Sequence, residues 1–206
     1  MAEPAYPLRL PERRDAQAWP AQGRWTYENY RRLPDDGRRY EVIRGSVYVT
    51  PAPSIEHQRA VTRLFRLLDR FVLEHRLGEV LMAPLDVLLP GDIATPVQPD
   101  LVFFRAGNEP RPGAKNFHGV PDLVIEVLSP ATRRFDERIK LAAYRDAGVP
   151  EVWLADPQPP ALVVHGLSED GGRYVELERG REGGSVISQA LPGLRVVVSE
   201  VFPRGK

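Results

Sequence analysis

The chain has 206 residues, of which 42% are hydrophobic and 27% charged, which is ordinary for a globular domain that buries a core. It contains no cysteine, which excludes disulfides and thiolate metal sites, so any metal would need oxygen or imidazole ligands. Its 28 basic and 28 acidic residues give a net charge of zero, so overall charge does not favour nucleic-acid binding. The sequence has no apolar segment of membrane-spanning length and no signal-peptide core, which predicts a cytoplasmic protein without a membrane partner.

The first part of the chain divides into an arm and the start of a domain. Residues 1–23 are rich in Pro and Arg and read as an N-terminal arm, followed by a single domain over 24–206 with its core at about 40–157. A short helix is predicted after Thr26, and a hairpin is predicted from strands at 40–43 and 46–49.

A long helix is predicted from its N-cap Ser54 to about Leu77. Its apolar stripe has helical spacing and consists of Val61, Leu64, Phe65, Leu68, Phe71 and Val72. The opposite face carries Arg59, Arg63, Arg66 and Arg70, spaced by four, three and four residues. Two interpretations of these arginines stay open, a phosphate-binding face and an ordinary solvated face.

The remaining pattern alternates strands and helix before it becomes all strand. Strands are predicted at 79–89, 99–105, 122–128 and 151–156, with a helix at about 133–147 that ends at Gly148. After Pro160, short strands near 161–166, 172–178 and 194–198 predict an antiparallel extension of the same sheet over 158–206.

Two acidic residues, Asp100 and Glu126, lie inside apolar runs that read as buried strands. A buried carboxylate is costly unless a metal ion, a cation or a shared proton offsets its desolvation. Asp100 can approach Glu126 laterally from a neighbouring strand, and two such carboxylates with waters make a Mg²⁺ site. Lys140 is one of only three lysines among 28 basic residues, which indicates a need for a compact ammonium group near these acids.

Two further residues are candidate neighbours of Asp100, Glu126 and Lys140. Asp136 lies four residues before Lys140, so the two are expected to form an ion pair on the helix. His57, near the start of the long helix, either faces the site or serves in capping and packing.

At this point the chain resembles the Uma-type putative restriction endonuclease family of the PD-(D/E)XK nuclease superfamily. The resemblance runs from about Trp25 to Asp156 and rests on the order and spacing of Tyr40-Glu41, Pro53-Ser54, His57-Gln58, Pro99-Asp100, the segment Pro121 to Ser129, Thr132, Asp136, Lys140, Tyr144, Gly148-Val149, Trp153 and Asp156-Pro157. It implies an α/β (α+β) fold, with a restriction-endonuclease-like mixed central sheet flanked by helices and extra antiparallel strands at both ends.

The resemblance also implies roles for single residues. Asp100 and Glu126 correspond to the two motif acids that hold the metal, and Glu41 resembles an additional acid of such nucleases. The sequence departs from the superfamily at the position two after Glu126, which holds Leu128 where lysine is usual. The Uma-type pattern implies that Lys140 supplies the missing amine from the following helix.

The function implied is a Mg²⁺-dependent endonuclease, with Mn²⁺ able to substitute, which acts on nucleic acid, DNA being favoured over RNA, and which cuts as a homodimer. Two other interpretations stay open. In one, the fold is a catalytically inactive module that binds nucleic acid or a protein. In the other, the site is purely structural, with Glu126 paired to an arginine such as Arg133 or Arg134.

Overall fold

The computed structural model describes residues 18–203, so residues 1–17 of the predicted arm lie outside the described part. The helices are α1 Tyr27–Tyr30, α2 Ile55–His75, α3 Leu141–Ala147 and α4 Val198–Val201, with a 3₁₀ turn at Pro90–Asp92 and a π-helical segment at Phe135–Lys140. The strands are β1 Arg39–Ile43, β2 Ser46–Thr50, β3 Gly78–Met82, β4 Val87–Leu89, β5 Ala94–Val97, β6 Leu101–Arg105, β7 Phe117–His118, β8 Leu123–Val127, β9 Glu151–Pro157, β10 Pro160–Leu167, β11 Tyr174–Arg181, β12 Ser185–Ile187 and β13 Arg195–Val197.

The central sheet has six strands in the order β11-β10-β9-β8-β6-β3. Only β8 and β9 pair in parallel, and the π segment with α3 forms the crossover between them. All other neighbours in this sheet are antiparallel. The predicted mixed sheet flanked by helices is therefore confirmed, and β10 and β11 extend it as antiparallel strands.

The N-terminal hairpin belongs to a second sheet of five strands, in the order β2-β1-β5-β4-β7. Strands β12 and β13 form a separate antiparallel pair, so the prediction that the strand near 194–198 extends the central sheet is wrong. The second sheet matters for function because it brings β1 up to the central sheet, so that side chains far apart in the sequence share one cleft.

Hydrophobic side chains cover both faces of the central sheet. Because strand side chains alternate, Phe103 and Ile125 face one way, whereas Val102 and Val124 face the other. The first face packs against the apolar stripe of α2, in which Ala60, Val61, Leu64, Leu68 and Val72 are buried. The second face packs against α3, including Tyr144, and against residues of the second sheet.

Three local predictions differ from the structure, for reasons of backbone chemistry. The strand predicted at 79–89 is two strands, β3 and β4, because Pro84 between them lacks the N–H that a ladder needs. Strand β5 contains Pro96 and was not predicted. The helix predicted at 133–147 begins as the π segment and becomes α-helical only at Leu141.

Two of the three predicted helices have the capping residue that the sequence predicts, one at its start and one at its end. Ser54 accepts a hydrogen bond from the backbone N–H of His57 at the start of α2, and Gly148 ends α3 in the left-handed region. Within residues 18–203, no helix has the length and apolarity required to cross a membrane.

Candidate active site

A cleft of about 240 Å³ lies where the second sheet, the start of α2 and the central sheet meet. All six residues that the sequence singled out line it: Glu41, His57, Asp100, Glu126, Asp136 and Lys140. Their side chains come from β1, the first turn of α2, the residue before β6, strand β8 and the π segment. The structure thus brings the predicted residues together, while their chemical roles stay predictions.

Strand register places the two motif acids side by side. Strands β6 and β8 are antiparallel with Leu101 opposite Ile125, so Asp100 comes opposite Glu126 one step along. The backbone N–H of Val127 donates to Asp100 Oδ2 at 2.9 Å, which fixes the aspartate against the neighbouring strand. The lateral approach expected from the sequence is what the fold produces.

Lys140 is buried among acids at the end of the π segment. Its Nζ lies 2.6 Å from Glu126 Oε1 and 3.2 Å from Glu41 Oε1, and it donates to the carbonyl of Gln98 at 3.3 Å. With 2% of its side chain exposed, the ammonium group exchanges water for these oxygens. The helix therefore delivers an amine to the position that the Uma-type pattern implies.

The expected ion pair between Asp136 and Lys140 is replaced by the pairs of Lys140 with Glu126 and Glu41. The cause is the wide turn, in which the N–H of Leu141 bonds to the carbonyl of Asp136, an i to i+5 bond instead of the α-helical i to i+4. Asp136 remains buried and lines the cleft beside the amine.

Two side chains hold Asp100, one that the sequence named as a possible neighbour of the site and one that it did not. His57 Nε2 lies 3.2 Å from Asp100 Oδ2, so the histidine faces the site, one of the two alternatives left open. Arg39 Nη1 lies 3.2 Å from Asp100 Oδ1 and was missed. Its signal was its place two residues before Glu41 on one strand, which puts both side chains on the same face.

Tyr144, for which the sequence predicted no role at the site, also belongs to it. Its ring packs in the core while its hydroxyl donates to Glu126 Oε1 at 2.5 Å. A buried tyrosine hydroxyl needs a partner, and Tyr144 lies four residues after Lys140, about one helical turn further along.

The structural interpretation that pairs Glu126 with Arg133 or Arg134 is wrong about the partner. The guanidinium of Arg133 pairs instead with Asp156 at 2.8 Å and with Glu137 at 3.3 Å. The cation beside Glu126 is Lys140, which occupies the cleft from the other side of the helix turn.

Electrostatics separate the two motif acids. Burial, together with the charges of Asp100 and Glu41, raises the pKa of Glu126 to about 7, although Lys140 opposes the shift. Burial also raises the pKa of Asp136 well above its usual range. Burial would raise the pKa of Asp100 as well, but the hydrogen bond from His57 and the charge of Arg39 hold it below its usual range.

The amine of Lys140 stays charged. Burial alone would lower the pKa of Lys140, but the carboxylates of Glu126 and Glu41 together raise it. The two ion pairs outweigh burial, which argues against Lys140 as a base that takes a proton from water.

The oxygens of the site suit a hard divalent cation such as Mg²⁺. Both contacts of Glu126, with Tyr144 and Lys140, fall on Oε1, which leaves Oε2 to accept a ligand. Glu41 Oε2 is buried without a hydrogen-bond partner in the same cleft. Among residues 18–203, no three His, Asp or Glu side chains form a preassembled metal cage, so a metal would be held by two carboxylates with waters and substrate.

The position of the usual superfamily lysine has another use in this chain. Leu128 is 3% exposed and packs in a small apolar cluster with Leu154 and Val163, against Leu141. An ammonium group there would lie among hydrocarbon, whereas the one at Lys140 lies among carboxylates.

A mixed sheet with two neighbouring acids and a buried lysine at one edge defines a restriction-endonuclease-like protein. A family model described as "Putative restriction endonuclease", Uma2, matches residues 27–199, and the chain belongs to that family. No curated protein matches the sequence.

A solved structure has the same fold at low sequence identity. It is the crystal structure of a putative nuclease belonging to DUF820 from Anabaena variabilis, 20% identical, with a TM-score of 0.73. The match covers 86% of this chain and 97% of that one. At this identity the likeness concerns the fold, and it extends over nearly the whole of the neighbour.

Proposed function

We propose that the protein is a divalent-metal-dependent endonuclease that hydrolyses phosphodiester bonds of nucleic acid. The observation that carries this proposal is the charge balance of the cleft. Four buried carboxylates, from Glu41, Asp100, Glu126 and Asp136, face two permanent cations, Lys140 and Arg39. Burial raises the pKa of Glu126 and Asp136, so these acids hold protons when no metal is present, and a divalent cation would replace those protons and balance the carboxylates. The family to which the chain belongs supports nuclease chemistry.

Asp100 and Glu126 would hold Mg²⁺, and Mn²⁺ would substitute. When bound, such an ion polarises a phosphate and lowers the pKa of a coordinated water. Within the chain, His57 and Arg39 keep Asp100 ionised and oriented. Tyr144 orients Glu126 through its hydroxyl, leaving the second oxygen towards the ligand.

The proposed role of Lys140 is electrostatic. Its raised pKa keeps the amine protonated, so it stabilises the charge that develops on the phosphate and positions the attacking water rather than deprotonating it. Glu41 also holds the ammonium group by its contact at 3.2 Å.

The substrate we propose is DNA rather than RNA, in line with the family's description as restriction endonucleases. Cutting both strands of a duplex requires two active sites, so we propose a homodimer that works in the cytoplasm. Hydrolysis of one strand would need only a single chain. The ratio of nicked to linear plasmid among the products therefore tests whether one or two active sites act together.

One observation favours the second interpretation, an inactive binding module. The ion pair of Lys140 with Glu126 at 2.6 Å already neutralises the second motif acid without a metal. In that case the cleft would be a closed charge network, and metal would have no site to occupy.

The first experiment is a calorimetric Mn²⁺ titration of the wild type and of Glu126→Gln, both checked for folding by circular dichroism. Glu79→Gln is the matched control, the same change at an exposed residue at the far end of the same sheet. We expect one site per chain in the wild type and the control and none in folded Glu126→Gln, together with Mn²⁺-dependent cleavage of plasmid DNA that only Glu126→Gln loses. A wild type that binds no Mn²⁺ with or without DNA would overturn the proposal and favour the binding module.

A further inference from the structure

The solvent face of α2 carries a row of four arginines. Arg59, Arg66 and Arg70 are exposed and Arg63 is half-buried, while the opposite face of the helix is in the core. From Arg59 to Arg70 the helix rises about 16 Å. The same face carries Glu56 before the row and Glu74 after it, so four arginines against two glutamates leave an excess of positive charge that is greatest in the middle of the helix. We call these four residues the arginine face.

The arginine face is weakly neutralised. Arg59 lies 4.0 Å from Glu56, and both side chains are well exposed, so this pair contributes little. Arg63 Nη1 donates to the carbonyl of Val201 at 3.1 Å, which holds the guanidinium group in place without cancelling its charge. Arg66 and Arg70 pair with no acidic group among residues 18–203.

The arginine face continues from the mouth of the candidate active site. A second groove, of about 370 Å³, runs along the first turns of α2 and is lined by Ile55, Gln58, Thr62 and three of the arginines. Its end shares Pro53 and Ser54 with the cleft that holds Asp100 and Glu126. A strand leaving the cleft on this side would therefore lie directly along the guanidinium groups.

We propose that the arginine face binds the phosphate backbone of duplex DNA next to the bond that is cut. This inference rests on the proposed function and specifies how the substrate is held. Guanidinium groups bind phosphate oxygens in a bidentate manner, and a rise of about 16 Å spans several phosphates of one strand. A second copy of the chain is a poor occupant, since self-association through this face would bring like charges together.

The test compares Arg66→Gln/Arg70→Gln with Arg111→Gln/Arg173→Gln, which removes the same charge from exposed loops at the opposite end of the central sheet. Binding to a labelled 30-base-pair duplex is measured by fluorescence anisotropy with EDTA, from 50 to 200 mM NaCl. We expect the first variant to bind about tenfold more weakly. The negative slope of the logarithm of the association constant against the logarithm of the salt concentration should become shallower by about 1.8, because two phosphate contacts are lost. The control should keep both values.

Cleavage of the same duplex with Mn²⁺ separates this inference from the proposed function. Equal slopes for the two double variants, with wild-type DNA binding and cleavage intact, would overturn the arginine face and leave the nuclease standing. A salt slope that depends on Arg66 and Arg70 without any cleavage would support the face and count against catalysis. Absence of DNA binding by the wild type, or a change only in oligomeric state, would overturn the inference.

Discussion

Glu126 is fully buried, contacts both Lys140 and Tyr144, and has two further carboxylates nearby, a combination found at no other acid among residues 18–203. Its pKa of about 7 means that the residue changes charge within the range in which enzymes are assayed. Metal binding and stability should therefore both respond to pH, in opposite directions.

Mn²⁺ affinity is expected to fall about tenfold between pH 8 and pH 6, because the ion must compete with a proton for Glu126. Calorimetry at several pH values measures this, and Glu79→Gln should follow the same curve as the wild type. A flat profile across this range would contradict the assigned role of Glu126.

Without metal, the free energy of unfolding changes with pH in the opposite direction to the Mn²⁺ affinity. Between pH about 4.5 and about 7 the folded chain binds one more proton at Glu126 than the unfolded chain does, so the free energy of unfolding falls as the pH rises. Asp136, whose pKa is also raised, adds to this trend, while Asp100 acts oppositely and only at acid pH below its unfolded pKa.

Lys140→Met should lower the free energy of unfolding by roughly 3 to 5 kcal/mol at pH 8, because the amine's carboxylate partners are left buried and unpaired. The loss should be smaller at pH 5.5, where Glu126 is protonated. Urea unfolding at the two pH values measures it. Lys115→Met, at an exposed lysine, is the control. Equal stability of Lys140→Met and wild type at pH 8 would mean that the ion pairs contribute nothing net.

Asp100 and Glu126 could be predicted from the sequence because a carboxylate within an apolar run is conspicuous, and Lys140 because lysine is rare in this chain. Arg39 was harder to predict, because its place two residues before Glu41 has meaning only once Glu41 is assigned to the site, and it is one arginine among 25. Tyr144 was hidden for a different reason, since a tyrosine in an apolar helix face looks like packing and only its hydroxyl reaches the site.

At the scale of elements, Glu151 holds the far end of β9 to the segment before β13. Its buried carboxylate accepts four hydrogen bonds, from Trp153 Nε1, Ser188 Oγ and the backbone N–H groups of Gln189 and Ala190. Each carboxylate oxygen of Glu151 accepts two hydrogen bonds, and the residue lies at the end of the central sheet away from the cleft. It therefore has a role in stability that is separable from catalysis.

Glu151→Gln should lower the free energy of unfolding by about 3 kcal/mol, since an amide group would face two backbone donors and two charge-assisted bonds would be lost. Thermal and urea unfolding measure this, with Glu169→Gln in an exposed turn as the control. Cleavage at 25 °C should be unchanged in the folded variant. A loss of activity without a loss of stability would contradict the separation.

The π segment explains why element prediction succeeded in type but failed in detail. Hydrophobic spacing and the Gly148 cap predicted a helix at 133–147, and a helical crossover is present there. The wide turn has no signature in that spacing because it accompanies the contacts of Lys140 with Glu126 and Glu41, which are distant from that helix in the sequence. Strand boundaries were mispredicted near two prolines. Pro84 separates β3 from β4 within a segment predicted as one strand, and Pro96 lies in β5, which was not predicted.

At the scale of the whole molecule, the metal should act as a folding ligand. At a free concentration one hundred times its Kd, Mn²⁺ is expected to raise the free energy of unfolding by about 2.7 kcal/mol, or Tm by roughly 5 to 10 °C. Differential scanning calorimetry measures the shift, and EDTA should reverse it. Glu126→Gln should show no shift, and a similar shift in that variant would place the ion elsewhere.

The fold as a whole could be predicted as far as its local patterns reach. Short apolar runs bounded by turn residues predicted strands of the central sheet, and the resemblance implied a mixed sheet flanked by helices without giving the strand order. Which strands join the second sheet depends on pairings between distant residues, such as Ile43 with Ala94, and no spacing in the sequence encodes them.

The packing of Leu128 has a consequence for how such a site changes over generations. Moving the amine from the helix to the strand position takes two substitutions, and each single one is expected to be unfavourable. Leu128→Lys alone would place an ammonium group in the apolar cluster of Leu154 and Val163, while Lys140→Leu alone would leave the acids without their cation. Under the proposed function, exchange between the two placements would pass through a less stable or less active single variant, so a lineage would keep the placement with which it starts.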